Sequence, residues 1–191
     1  MAEPAASRMS YEEYLAAEAV SDTKHEYLRG EIFAMAGGTP THARLAMAVG
    51  HALMGALADR RCAVFSSDLR VRIEATDLST YPDLVIVCGS FESSTIDANA
   101  VTNPTLIVEI LSDSTEAYDR GQKFAHYRQL PSLREYLLVS QHEPRLESYF
   151  KNDAGEWVLH EARAGETLAV RSLEGVRLET DGIYHDPLAR A

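Results

Sequence analysis

The sequence predicts an α/β fold, a central mixed β-sheet flanked by helices, and three observations carry that prediction. Two runs, Leu84–Cys88 (LVIVC) and Leu106–Leu111 (LIVEIL), are nearly continuous in apolar residues, the pattern of strands covered on both faces. Segments with helical spacing alternate with strand-like runs along the chain. A last group of short β-like segments, separated by polar turns, reads as an antiparallel C-terminal extension.

Residues 1–9 read as a loose leader, and one domain is expected over 10–188. Ser10 and Glu13 are spaced as a capping box, with Tyr11, Tyr14 and Leu15 recurring at helical intervals behind them. From His25 to Met35 the chain reads as a hairpin around Arg29-Gly30. Gly37-Gly38 ends it. Thr39 as N-cap and Pro40 in the first turn then open a second helix, expected to reach about Arg60 with Leu45, Val49, Ala52, Leu53 and Ala56 on one face. Strands are expected at Cys62–Phe65 and Leu69–Ile73, ahead of the two apolar runs. A third helix is expected from Ser114 to Leu130, where Pro131 stops it. Glu135–Ser140, Arg145–Phe150, Trp157–Glu161 and Val176–Leu178 form the antiparallel group.

A chain of 191 residues is long enough for one sizeable core, and 46% hydrophobic with 25% charged residues is the balance of a globular protein rather than a disordered one. No stretch approaches the roughly 20 apolar residues of a membrane span. Met1-Ala2-Glu3-Pro4 opens no signal peptide, so a cytoplasmic location is expected. Cys62 and Cys88 each sit in an apolar run without a CxxC or a histidine cluster, which reads as two buried, reduced thiols. Lys and Arg total 18 against 29 Asp and Glu, a net charge of −11. That balance argues against tight, unaided binding to long duplex DNA, which is driven by neutralising phosphates.

Chemistry is suggested by carboxylates placed where apolar side chains belong. Glu109 is the one charge inside Leu106–Leu111, and an unpaired buried carboxylate costs several kcal/mol. It must be paired, protonated or bound to a cation, unless it lies on the solvent face of an edge strand. Tyr81-Pro82-Asp83 leads into the other apolar run, which puts Asp83 at a strand start; a turn Asp capping a loop is the plainer reading. The SxxK at Ser21–Lys24 stands alone, and no P-loop, GxGxxG, GxSxG or HExxH is present.

Taken together these residues resemble the PD-(D/E)xK nuclease core and, more closely, the Uma-type restriction endonucleases. The matching stretches are His25–Ile32, Ala36-Gly37-Gly38 to His42, Tyr81–Val87, and Leu106–Ser112 continuing through Ser114-Thr115, Asp119, Lys123-Phe124, Tyr127 and Tyr136–Val139. The resemblance covers roughly residues 10 to 185. It implies a restriction-endonuclease-like core and Mg²⁺- or Mn²⁺-dependent hydrolysis of phosphodiester bonds in nucleic acid, with DNA as the expected partner, bound weakly. It implies Asp83 and Glu109 as metal-binding carboxylates, helped by the Ile110 carbonyl, with Glu31 as a third acidic ligand or a neighbour of the ligands. A homodimer is a further expectation from the family.

The sequence departs from the motif at the lysine. The position two residues after the acidic ligand is Leu111, and the resemblance offers Lys123 as a migrated replacement. Asp119, Lys123 and Tyr127 are four apart and share a helical face, whether as site residues or as a surface ion pair with a packed tyrosine. His42, three residues after Thr39, is placed to touch substrate phosphate or a site carboxylate, or simply to pack at a helix start. Asp68 reads as a strand-end residue. Two other functions stay open: a non-catalytic member kept as a binding module, and a metal hydrolase of small phosphoesters.

Overall fold

The structure, a computed structural model, describes residues 8–35 and 37–189, so most of the expected leader, residues 1–7, lies outside it. Helix α1 (Tyr11–Glu18) begins at the expected capping box: the Ser10 side chain accepts from the Glu13 amide and the Glu13 carboxylate accepts from the Ser10 amide. Strands β1 (His25–Leu28) and β2 (Glu31–Ala34) form the expected hairpin. Its two turn residues, Arg29 (φ 51°) and Gly30 (φ 90°), are both left-handed, as a two-residue turn between right-twisted strands requires. Helix α2 (Pro40–Ala56) starts at Thr39, whose hydroxyl accepts from the His42 amide at 3.1 Å. It ends four residues before Arg60, where Leu57 turns inward and is buried.

Eleven further strands follow: β3 (Cys62–Ser66), β4 (Arg70–Ile73), β5 (Leu78–Thr80), β6 (Leu84–Cys88), β7 (Ala100–Val101), β8 (Leu106–Ile110), β9 (Glu135–Val139), β10 (Arg145–Lys151), β11 (Trp157–Arg163), β12 (Thr167–Ala169) and β13 (Arg177–Glu179). They build a six-stranded sheet in the order β11-β10-β9-β8-β6-β3, a five-stranded sheet β2-β1-β5-β4-β7, and the ribbon β12-β13. The six-stranded sheet is mixed: β8 and β9 run parallel and the other pairs antiparallel. Its middle strands are the two apolar runs, and every residue of β8 is buried. One face packs on Leu45, Val49 and Leu53 of α2 and on the ribbon, with the C-terminal helix α5 (Thr180–Tyr184). The other face meets the five-stranded sheet through Val71, Ile73, Leu78, Val85 and Ile107. The short strand β5 has no periodicity to betray it in sequence, yet it joins the hairpin to β4.

The expected third helix is broken. Between β8 and β9 the chain forms a short turn α3 (Glu116–Tyr118), a π turn (Asp119–Lys123) and α4 (Phe124–Tyr127). A continuous α-helix of helix-forming residues would be the local preference. Here the widened turn keeps both Asp119 and Lys123 buried against the sheet, and π turns of this kind gather at functional sites.

The reading of Cys62 and Cys88 as reduced thiols is corrected: the two are joined in a disulfide. They face each other across β3 and β6, and the Gly89 amide donates to the Arg61 carbonyl just beyond them, so they form a non-hydrogen-bonded pair with Cα atoms 4.0 Å apart. That is a relation of register, which spacing along the chain does not reveal. Thiol titration of the unfolded protein without reductant is expected to find no free thiol. Reduction is expected to lower unfolding stability by roughly 3–4 kcal/mol, the loop-closure value for a sequence separation of 26.

Candidate active site

Strand pairing assembles the site. In the antiparallel β6–β8 register Leu84 faces Val108, so one residue further Asp83 stands beside Glu109. Along β8, Leu106, Val108 and Ile110 point into the core beneath α2, which turns Ile107 and Glu109 the other way, toward the five-stranded sheet. There Glu109 is 4% exposed and Lys123, from the π turn, is 6% exposed. The Lys123 ammonium lies 2.9 Å from Glu109 Oε1, 3.3 Å from Glu26 Oε1 and 3.7 Å from Asp119 Oδ1. The Tyr127 hydroxyl donates to Glu109 Oε1 at 2.7 Å, and the Tyr136 hydroxyl donates to the Asp119 carbonyl at 3.1 Å.

Asp83 is held on two sides. The Ile110 amide donates to its Oδ2 at 2.7 Å, and His42 Nε2 lies 3.2 Å from Oδ1. The histidine is seated by the turn before it: a Cβ at Gly38 would come within 2.9 Å of His42 Nδ1, so a side chain there would displace the ring. The Thr39 hydroxyl donates to Gln141 Oε1 at 2.6 Å and Gln141 Nε2 donates to the Leu111 carbonyl at 2.7 Å, which ties the start of α2 to the end of β8.

Glu26, His42, Asp83, Glu109, Asp119 and Lys123 line a cavity of about 670 Å³. Its carboxylates are Glu26, Asp83, Glu109, Asp113 and Asp119, against the basic groups Lys123, His42 and His142. Burial pushes the Glu109 carboxyl up to about 8; the Lys123 charge pulls it down, and Asp119 and Asp83 push it further up. Asp119 is raised by burial as well, against the pull of Lys123. Burial works against the Lys123 charge, but Glu109, Glu26 and Asp119 outweigh it and hold the pKa well above that of an ordinary lysine. Burial, then the charges of Glu109 and Glu26, keeps the Tyr127 hydroxyl protonated. Hydrogen bonding to Asp83 raises His42 against the opposing effect of burial. Lys123 is therefore a fixed positive charge, and Glu109 sits at the edge of ionisation.

The structure thus gathers Asp83, Glu109, Lys123, Asp119, Tyr127, Ile110 and His42 in one place. It does not bring Glu31 there. Glu31 pairs with Leu28 at the turn end of the hairpin, exposed and away from the cavity wall. Glu26, on the inner strand of the same hairpin, takes the position beside Lys123. Alternation around the buried Tyr27 points Glu26 and Glu31 to the same face, so only the pairing of β1 with β5 decides which glutamate reaches the site. Asp68 lies outside it, on the surface, bonded to Lys24. Gln141 and Tyr118 also line the cavity, with no signal in the sequence.

Asp83 and Glu109 offer hard oxygen donors, and the cavity's carboxylates outnumber its fixed cation, an excess that a divalent ion would balance. Among the described residues no group of three or more His, Cys, Asp or Glu is arranged to hold a metal ion unaided. Mg²⁺ commonly takes one or two carboxylates and completes its shell with water and phosphate, so the donor set fits.

A mixed α/β sheet sandwich with its paired carboxylates at the end of two central strands defines a restriction-endonuclease-like protein. A solved structure of a putative nuclease of the DUF820 group from Anabaena variabilis superposes on 91% of this chain and 96% of its own, with a TM-score of 0.74 at 17% identity, which is likeness of fold. Residues 11–181 match the Uma2 family, described as "Putative restriction endonuclease", and the chain belongs to that family. Two Synechocystis proteins, both described as uncharacterized, are similar in sequence. The protein slr1290 is 37% identical over 93% of this chain and 92% of its own, and sll1609 is 38% identical over 78% and 84%. Among the described residues no helix is long and apolar enough to cross a membrane.

Proposed function

We propose that the chain is a metal-dependent hydrolase of phosphodiester bonds in nucleic acid, using Asp83, Glu109 and Lys123. The observation that carries this reading is the juxtaposition of two carboxylates from paired strands with a buried ammonium, at the base of an open cavity. Asp83 and Glu109, with the Ile110 carbonyl, would hold one or two Mg²⁺ or Mn²⁺ ions. A bound divalent ion supplies Lewis-acid stabilisation of phosphate charge and a more acidic water.

The chain's own groups do the positioning. Lys123, permanently charged, cannot take a proton from water; it offsets charge that builds on the phosphate and orients Glu109. Tyr127 fixes the other side of the same carboxylate oxygen. His42 sets the Asp83 carboxylate, and its hydrogen bond to that carboxylate raises its own pKa. In the overall reaction water adds to phosphorus, one P–O ester bond breaks, and the leaving oxygen is protonated. Asp119 and Glu26 keep Lys123 in place.

The test is Mn²⁺ calorimetry beside cleavage of plasmid and single-stranded DNA. Wild type is expected to bind Mn²⁺ and cut, and Asp83→Ala to lose both. A folded wild type that binds no Mn²⁺ and cuts neither substrate would overturn the proposal and leave the fold as a binding module.

A further inference from the structure

We propose that the substrate is an unpaired nucleic-acid strand, whose base stacks on Phe33 at the mouth of the cavity. The inference deepens the hydrolase reading and rests on it for the identity of the site. Three observations lead to it.

The first is depth. The groups that would meet the scissile phosphate, Glu109 and Lys123, are 4% and 6% exposed. They lie at the base of a cavity in the ~300–1,000 Å³ range that encloses a ligand of drug size, the bulk of a nucleotide or dinucleotide. No element carries them outward into a groove, so the phosphate must come to them. A single strand bends into such a recess, whereas a stacked duplex holds its phosphates on a rigid outer surface.

The second is charge. Lys123 is the only lysine or arginine lining the cavity among the described residues, and it is already surrounded by carboxylates. The rest of the polar wall adds the carboxylate of Asp113, the imidazoles of His42 and His142, and neutral groups such as the hydroxyls of Ser112, Ser114 and Thr115 and the Gln141 amide. A duplex-binding face needs a track of cations for its two phosphate backbones. This wall offers none, and affinity has to come from another source.

The third is Phe33. In the β1–β2 register Phe33 stands opposite Glu26, so both side chains leave the same face of the sheet. Glu26 reaches Lys123, and Phe33, on the outer strand, lines the cavity while remaining 48% exposed. Tyr118, half-buried, lines the same cavity. An exposed aromatic ring beside a nucleotide-sized recess resembles the stacking platforms used by single-strand binders, which are indifferent to base sequence. Duplex bases, stacked on each other, have no free face to give it.

The test measures binding by fluorescence anisotropy of labelled dT12, U12 and a blunt 12-base-pair DNA, with Ca²⁺ present as the hard divalent cation. At least one single strand is expected to bind roughly ten-fold or more tightly than the duplex. Phe33→Ala is expected to weaken that strand by about ten-fold, within the range of one lost stacking contact, and to leave duplex affinity unchanged. Phe33→Trp is expected to retain the affinity, with its added indole fluorescence quenched by the strand. Preference between dT12 and U12 tells which kind of strand is favoured, and either order supports the inference.

Duplex binding as tight as the single strands, no binding of either, or single-strand affinity untouched by Phe33→Ala would overturn it. So would a shift from dimer to monomer in Phe33→Ala with DNA affinity unchanged, which would assign the hairpin face to a second copy. The hydrolase reading is judged separately with Mn²⁺: strand-selective binding without any cutting would sink that reading and keep this one.

Discussion

Glu109→Gln is expected to cut nucleic acid roughly 10²–10³-fold more slowly than wild type with Mn²⁺ present, the scale of losing one preorganised charge contact, and yet to unfold less readily above pH 8. The two effects have one cause. Burial raises the Glu109 carboxyl from 4.5 to about 8 in the folded chain. Between those values the folded state keeps a proton that the unfolded chain has released, so stability falls as pH rises. The contribution is full below pH 4.5 and is lost as pH passes through about 8. Glutamine has the same shape and no charge to desolvate, and Lys123 still keeps Glu26 and Asp119. Urea midpoints from pH 5 to 9 should decline in wild type relative to Glu109→Gln. A common slope for the two proteins would show that Glu109 is not the strained group. Calorimetry adds a second check, because a divalent ion must displace the proton: Mn²⁺ binding to wild type at pH 7 should release protons, with an apparent enthalpy that depends on the buffer.

Much of this site could be read before any fold was known, because burial leaves a mark on sequence. Glu109 stands out as a charge inside five buried positions, and Asp83 as the carboxylate at the entry to the other central strand. The four-residue spacing of Asp119, Lys123 and Tyr127 marked a shared face even though the expected helix is a π turn between two short helices, since all three remain buried on one side. What escaped was decided by pairing between distant strands. Glu26 and Glu31 lie on one face of one hairpin, and the docking of β1 rather than β2 against β5 selects between them. Cys62 and Cys88 meet only because β3 and β6 align them in register. The five-stranded sheet depends on β5, three buried residues with no room for a pattern. In each case local preference was silent and tertiary contact made the choice.

Lys123→Met is the converse experiment, and the expected direction of stability is opposite. Methionine fills a similar volume without the charge, and it strips Glu109, Glu26 and Asp119 of their shared ammonium. Breaking a buried ion cluster from the side of its only cation costs about 3–5 kcal/mol, because carboxylates remain where water cannot reach them. The loss should be larger at pH 8 and above than at pH 5, because at pH 5 the raised Glu109 already holds a proton and leaves less buried charge for the ammonium to balance. Cutting should fall as well, by roughly 10²-fold or more, since the charge proposed to face the phosphate is gone. The double variant Lys123→Met/Glu109→Gln separates the roles. Removing one carboxylate relieves much of the repulsion, so urea stability should recover well beyond the sum of the single effects, while cutting stays lost. Recovery of stability without activity would assign Lys123 both tasks. If Lys123→Met is as stable as wild type at pH 8, the ammonium does not hold this cluster together, and its place in the site would have to be explained by catalysis alone.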